Sequence, residues 1–291
     1  MTRELEVLAV GALALVEDLG RPGLGASGVG RSGAADRAAL RLANRLVANP
    51  EGAAGIEVVF GGLAVRASAP VTVALAGAPA PADVDGAAVA HHSLVDLRGG
   101  QVLRLGGPGT GLRTYLAVRG GVDVAPVLGS RSTDTLSGLG PPRLEVGQVL
   151  PIGPEPNALP VVDVAPVPVP PGGTVTVHAV LGPRAEYVAE PEQLTAVEWT
   201  ASSRSDRVGV RLEGGRLRRR DDATGELPSE GMVRGAVQVP PSGEPVVFLA
   251  DHPVTGGYPV VATLCDADVD RLAQVRPGQG VRFVWITRSL P

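Results

Sequence analysis

The chain is cut into short apolar runs by glycine and proline, and that spacing leaves little room for anything but β-structure. Residues 63–68, 71–75, 102–105 and 113–118 are alternating or β-branched and end at Gly, Pro or Asp. The second half repeats the pattern at 174–181, 198–201, 208–212, 235–239, 246–250, 260–264 and 281–286. About a dozen such strands predict barrels or sandwiches rather than alternating β–α units. The 40 glycines and 27 prolines among 291 residues supply the turns. Val, Leu and Ala supply the apolar mass, since aromatics make up only 3%.

Two segments read as helices. Residues 34–47 follow Ser32-Gly33 and place Ala35, Ala39, Leu42 and Leu46 on one face, with Arg37, Arg41 and Arg45 on the other. Asn49-Pro50 ends that pattern. Residues 266–275 open with aspartates suited to N-capping and stop before Pro277-Gly278. A single turn is expected at 191–196. Pro166, Pro168, Pro170 and Pro171 mark an extended boundary segment. The division is set near residue 160, giving domains 1–160 and 161–291. Residues 7–16 imitate a signal-peptide core, but Glu4 and Glu6 stand where positive charge belongs. The run is also too short to span a bilayer. We read it as one buried strand, bent near Gly11, in a cytoplasmic protein with no membrane partner.

Composition removes several function classes. A net charge of −4 gives no bulk attraction to nucleic acid, so no nucleic-acid partner is expected. The basic run Arg216–Arg220 is followed directly by Asp221-Asp222 and reads as a solvated strand or turn. All 26 basic residues are arginine. Without lysine, a Schiff base, pyridoxal-phosphate chemistry and a Walker-type phosphate loop are excluded, and so is carriage of biotin on this chain. Cys265 is alone, so no intrachain disulfide forms, and its apolar context reads as a buried structural thiol. No His, Cys and carboxylate set has metal-ligand spacing, so no metal site is expected.

Polar residues at turns carry the remaining signal. Gly23–Gly28 and Gly28–Gly33 both match G-x-G-x-x-G, but neither joins a strand directly to a helix, so a dinucleotide site is not supported. The loop either presents backbone N–H groups to an anion or is a plain cover. Ser130, Ser132 and Thr133 around Arg131 suit a carboxylate or phosphate, and a capped turn has the same residues. Asp206-Arg207 invites a local ion pair. Asp251, at a strand end, is followed by Thr255, Gly256, Gly257 and Tyr258, where the glycines let backbone approach a ligand.

These segments resemble the biotin-dependent carboxyltransferase family. The matching blocks are Glu17-Asp-Leu-Gly-Arg21-Pro-Gly, Ser32-Gly-Ala-Ala-Asp36, Ala43-Asn44-Arg-Leu-Val and Ile56-Glu57. Tyr115–Asp123 and Val127–Thr133 match the family's middle motif, and Trp199–Leu212 matches its S-D-R-x-G-x-R-L segment. Ser229-Glu-Gly, Gly235–Pro241 (with Gln238), Asp251–Pro259 and Leu272-Ala-Gln274 match its end. The blocks run in order along almost the whole chain. Glu17 departs from the family's usual Gln, and Ala48 from its frequent Gly.

The family includes the C subunit of bacterial 5-oxoprolinase, also called allophanate hydrolase subunit 2, and the urea amidolyase-related carboxyltransferase domain. The resemblance implies a mainly β protein of two cyclophilin-like β-barrels with a few short helices. It implies a heteromer with a B subunit and a third, A subunit, opening 5-oxoproline to L-glutamate with ATP hydrolysis; ATP can sit on a partner subunit. The alternative is a carboxyltransferase half that moves a carboxyl group to urea or a related amide, its biotin on a separate carrier. A third is a non-catalytic regulator that binds a kinase-inhibitor-like B subunit. Catalytic positions carried over are Arg131, Asp251 and Thr255. Substrate-binding positions are Arg21, Asp36, Asn44, Ser130, Ser132, Thr133, Asp206, Arg207, Gln238, Gly256, Gly257 and Tyr258. Arg131 with its hydroxyl neighbours would hold a carboxylate or phosphoryl group under Arg21 and the glycine loop. Asp251 and Thr255 would orient the amide or water, with Tyr258 as a wall.

Overall fold

In the computed structural model of the chain, residues 3–220 and 227–286 are described, and they fall into two units. The first comprises the residues up to Pro22, Ser32–Asp134 and Gly138–Pro170. The second comprises Gly23–Arg31, Thr135–Ser137 and the described residues from Pro171 onward. Asp221 and Asp222, which follow the basic run, lie outside the described residues.

The mainly β expectation holds. The first unit carries β1 (Glu4–Val10), β2 (Leu13–Glu17), α1 (Arg37–Leu46), β3 (Gly55–Val59), β4 (Leu63–Ala67) and β5 (Val71–Gly77). It continues with β6 (Ala82–Val84), β7 (Ala87–Val89), β8 (Leu94–Leu97), β9 (Val102–Leu105), β10 (Arg113–Val118) and β11 (Val149–Pro151). One sheet has the order β11-β1-β4-β9-β6-β7 and the other β2-β3-β10-β5-β8. Period-2 alternation sends Leu5, Val7, Val65 and Leu103 of the first sheet, and Val16, Ile56, Val73, Leu75 and Leu116 of the second, into one shared core.

The outer face of the five-stranded sheet is covered by α1. Ala39, Leu40, Ala43 and Leu46 pack there on Ala74, Ala76, Tyr115 and Ala117. Full burial of a leucine such as Leu40 contributes about 2 kcal/mol. Small alanines on the sheet let the helix approach it closely. Residues 7–16 are two strands in different sheets, not one bent strand. Gly11 makes the break at φ +63, and a Cβ there would lie 2.0 Å from the Gly61 carbonyl oxygen, so no other residue fits.

The second unit holds β12 (Val175–Leu181), α2 (Gln193–Ala196), β13 (Trp199–Ala201), β14 (Gly209–Glu213), β15 (Glu230–Gly231) and β16 (Ala236–Gln238). β17 (Val246–Phe248), β18 (Thr255–Gly256), β19 (Val260–Leu264), α3 (Asp266–Leu272) and β20 (Gly280–Trp285) complete it. Seven strands close a barrel in the order β12-β19-β16-β17-β14-β13-β20. Closure leaves no unpaired strand edge in that sheet. Trp199, Val177, Leu212, Val237 and Phe283 are buried, and the Trp199 indole N–H donates to the Leu194 carbonyl at 2.9 Å. Cys265 is half-buried one residue beyond β19, not in the core, because strand alternation turns it away from the side of buried Leu264.

Candidate functional site

In the first unit the polar loops are organised by Asp18, just after β2. Its Oδ1 accepts from Gly20 N (2.7 Å), Ser130 Oγ (2.7 Å) and Ser132 Oγ (2.6 Å), and its Oδ2 accepts from Arg131 N (2.7 Å). Asp18 N in turn donates to Ser132 Oγ at 2.9 Å. A buried carboxylate with this many donors is well satisfied. The loop it grips begins as a tight hairpin: Val127 and Ser130 pair across Leu128 and Gly129, both at positive φ (51° and 80°). Thr133 completes the tie, with its N–H on the Val16 carbonyl and its Oγ1 donating to the Pro141 carbonyl at 3.0 Å. The expected hydroxyl cluster is thus present. The Ser130 and Ser132 hydroxyls are committed to Asp18, a residue that sequence reasoning passed over inside the Glu17–Arg21 block.

The two arginines of this region differ. Arg21 is 1% exposed, and its Nη2 donates to the Ser132 carbonyl at 2.5 Å. Its Nε and Nη1 are buried with no hydrogen-bond partner among the described residues. Burying donors on a cation without acceptors costs several kcal/mol, so such a group suits an incoming anion. Arg131 has about a third of its side chain exposed. Its Nε donates to the Val124 carbonyl (2.8 Å) and its Nη2 to Asp123 Oδ1 (2.5 Å). It lines a cavity of about 490 Å³ together with Asn49, Gly121, Asp123, Gly153 and Glu155.

A second buried network sets the start of α1. The Tyr115 hydroxyl donates to Glu57 Oε2 at 2.7 Å and accepts from Asp36 N at 2.8 Å, while Ala35 N donates to the same carboxylate oxygen at 3.0 Å. Arg113 lies 3.3 Å from Glu57 Oε1. Burial, then the charges of Glu57 and Asp36, push the Tyr115 phenol well above its ordinary pKa, so it stays protonated. This explains why the helix begins at Arg37 and not at Ala34. Ala34 N is bound to the Asp18 carbonyl, and the next two N–H groups are taken by Glu57 and Tyr115. Asp36 is the N-cap, accepting from Ala39 N at 2.9 Å. Asn44 is buried on α1, donating to the Ala53 and Glu51 carbonyls and accepting from Asn49 Nδ2. Both therefore brace the scaffold beneath the loops.

In the second unit, Asp251 and Arg207 form a bidentate pair. Arg207 Nε reaches Asp251 Oδ2 at 2.9 Å and Nη2 reaches Oδ1 at 3.1 Å, with side chains 2% and 0% exposed. Thr135 adds its N–H (2.9 Å) and Oγ1 (2.7 Å) to the same Oδ2. With both oxygens engaged, Asp251 holds chain segments in place. Asp206 caps its own turn by accepting from Val208 N and Gly209 N. Gln238 is buried and donates to the Tyr258 carbonyl at 3.2 Å. Thr255 is exposed and Gly256 half-buried on the β15–β18 ribbon, followed by half-buried Gly257 and Tyr258. A Cβ at Gly256 would lie 2.8 Å from Gln238 Nε2, so a side chain there would displace the end of the glutamine. Among the described residues no cluster of three or more His, Cys, Asp or Glu can hold a metal ion, and no helix is long and apolar enough to cross a membrane.

The family described as carboxyltransferase domain, subdomain A and B, matches residues 27–285. The chain is 38% identical to the C subunit of 5-oxoprolinase from Escherichia coli (strain K12), over 96% of the chain and 90% of that protein. It is 34% identical to the protein of the same name from Haemophilus influenzae, with the same coverage. Among solved structures it resembles TTHA0988 with a TM-score of 0.88 and 35% identity, covering 97% of the chain but 55% of that one, so it spans just over half that protein's length. It also resembles the urea amidolyase of K. lactis with a TM-score of 0.92 and 28% identity, covering 98% of the chain and 19% of the other.

Proposed function

The chain belongs to the carboxyltransferase domain family, subdomains A and B, and from that premise we propose that it is the C subunit of an ATP-dependent 5-oxoprolinase. The reading rests on near full-length similarity to two proteins of that name, and on the buried, partly unpartnered guanidinium of Arg21. The reaction breaks the lactam C–N bond of 5-oxoproline with water, yielding L-glutamate, while ATP hydrolysis supplies the driving force. The substrate carries one carboxylate and one lactam oxygen that gains negative charge as the carbonyl is attacked. Two N–H donors on a water-excluded cation suit either group.

In this reading Arg21 holds the anionic oxygen pair. Asp18 positions it indirectly, by fixing the Ser132 carbonyl that the Arg21 guanidinium grips. Arg131, already bonded to Asp123, shapes the neighbouring cavity and contributes positive charge at its edge. Asp251, Arg207 and Gln238 keep the loop of Thr255, Gly256, Gly257 and Tyr258 in register. ATP and the partner B and A subunits complete the activity, in the cytoplasm.

The test is co-expression with the neighbouring genes' products and an assay of ATP-dependent glutamate release from 5-oxoproline. Omission of this chain should abolish release. Full activity of the partners alone would sink the reading. A second reading, transfer of a carboxyl group from carboxybiotin to urea or a related amide, is favoured by the TM-score of 0.92 to urea amidolyase. The chain has no lysine, so biotin would arrive on another polypeptide. ATP- and biotin-dependent carboxylation of urea by the same reconstituted mixture, without glutamate release, would select it.

A further inference from the structure

The cavity beside Arg131 in the first unit carries more chemistry than a positive edge. Part of its lining is bare backbone. A Cβ at Gly120 would lie 2.3 Å from the Gly153 carbonyl oxygen, and one at Gly153 would lie 2.6 Å from the Gly120 carbonyl oxygen. The Asn49 side chain holds this contact in place by accepting from Gly120 N at 2.8 Å. Pro50, Pro154 and Pro156 add rigid apolar surface to the same cavity of about 490 Å³. Such a lining suits a small ring that brings its own polar edge.

Among the described residues three charged groups line it: Asp123, Arg131 and Glu155. Glu155 is engaged at both oxygens, Oε1 by Arg3 and Oε2 by Arg119 Nε at 3.3 Å. Asp123 and Arg131 share one hydrogen bond, Nη2 to Oδ1 at 2.5 Å. Backbone contacts fix both residues: Arg131 Nε donates to the Val124 carbonyl, and Asp123 N donates to the Pro151 carbonyl, each at 2.8 Å. Among the described residues, Arg131 Nη1 and Asp123 Oδ2 take no hydrogen bond. The pair thus offers one open donor and one open acceptor at zero net charge. An anion attracted by the guanidinium is repelled by the carboxylate. A neutral secondary amide satisfies both, its carbonyl oxygen accepting from Nη1 and its N–H donating to Oδ2. In a lactam or cyclic urea the ring keeps C=O and N–H on the same side.

We propose that the Asp123–Arg131 pair recognises the C=O and N–H edge of a cyclic secondary amide or ureido group, with Asp123 selecting that edge over a carboxylate. Selection works by repulsion as well as attraction, since the open Asp123 oxygen faces an unfavourable partner in any anion. The proposal deepens the function proposed above and rests on it for the substrate class: the lactam of 5-oxoproline and the ureido ring of biotin share this edge. It gives Arg131 the carbonyl oxygen instead of the carboxylate expected from its hydroxyl neighbours, because Ser130 and Ser132 are committed to Asp18.

The experiment is ligand-observed NMR titration of the full chain with 2-pyrrolidinone, its N-methyl analogue, 2-imidazolidinone and cyclopentanecarboxylate. Wild type should bind 2-pyrrolidinone at least about tenfold tighter than the N-methyl analogue or the carboxylate. Asp123→Asn puts an N–H donor against the ligand N–H and should shrink the N-methyl gap to about twofold or less. Asp123→Ser should do the same and raise carboxylate affinity, and it serves if the first variant does not fold. Equal binding of the two unsubstituted rings assigns the contacts to the shared edge; a preference for 2-imidazolidinone points to the biotin source, and a preference for 2-pyrrolidinone to the lactam. In the reconstituted complex Asp123→Asn should raise KM for 5-oxoproline at least about tenfold. Glutamate release with unchanged KM in that variant would overturn the assignment and leave the oxoprolinase reading standing. N–H-selective binding by a chain whose complex releases no glutamate would do the reverse. No saturable binding of either ring, or an N-methyl penalty that both variants retain, would also overturn the proposal.

Discussion

Asp18 and Ser132 are bound to each other twice. The serine hydroxyl donates to Asp18 Oδ1 at 2.6 Å and accepts from the Asp18 N–H at 2.9 Å. This reciprocal pair locks the loop after β2 to the loop that carries Arg131, and it fixes the Ser132 carbonyl on which Arg21 rests. One carboxylate thereby controls the position of two arginines.

Asp18→Asn should therefore be costly. The amide replaces one acceptor oxygen by a donor that faces N–H and O–H groups. The expected loss is about 3 kcal/mol of stability in urea denaturation, with a parallel drop in turnover of the reconstituted complex. A variant as stable as wild type would show that the hub is redundant.

Arg21→Met separates structure from function. It removes a buried cation with two donors unpartnered among the described residues, so stability should stay constant or rise. Glutamate release should fall by about two orders of magnitude. Arg131→Ala should also remove most activity while leaving the fold nearly intact, since this side chain sits at a cavity edge. Normal turnover in either variant would remove that arginine from the site.

Breaking the Arg207–Asp251 pair by Arg207→Met strips a fully buried carboxylate of its bidentate cation. The expected cost is about 3–5 kcal/mol by chemical denaturation. Adding Asp251→Leu should recover part of it. A single variant that loses less than the double variant would contradict this account.

Tyr115→Phe deletes the hydroxyl that joins Glu57 to the N–H of Asp36. The loss should be about 1–2 kcal/mol, measured by thermal unfolding. Amide exchange should speed up first at the start of α1.

Acid should weaken the first unit through His91. Burial, aided by the charge of neighbouring His92, lowers its pKa to about 4 from the ordinary 6.5. The folded chain then binds this proton less readily than the unfolded chain. The contribution to stability is complete above pH 6.5 and is lost as pH falls toward about 4. His91→Gln should flatten the decline of melting temperature across that window. An unchanged slope would assign the acid sensitivity elsewhere.

Strand positions and the mainly β class were legible because side-chain alternation and glycine or proline punctuation are local signals. The helix at 34–47 was legible too, but its first turn was not. Nothing local to Ala34, Ala35 and Asp36 shows that Asp18, Glu57 and Tyr115 claim their N–H groups from 16 to 79 residues away in sequence. The same limit applies to Arg21 and Arg131. As residues in motifs they look alike; only packing leaves one buried with open donors and pairs the other with Asp123.

By itself the sequence determined the composition of the chain's chemistry: no lysine, one cysteine, arginine as its basic residue, and motif blocks in family order. It also determined where the backbone can turn, since residues such as Gly11 sit at angles and contacts that a side chain would forbid. The tertiary structure decided which polar groups are already spent and which remain open. Hydrogen-bond partners are assigned by distance in space, and folding brings together loop groups more than a hundred residues apart, such as Asp18 and Ser132.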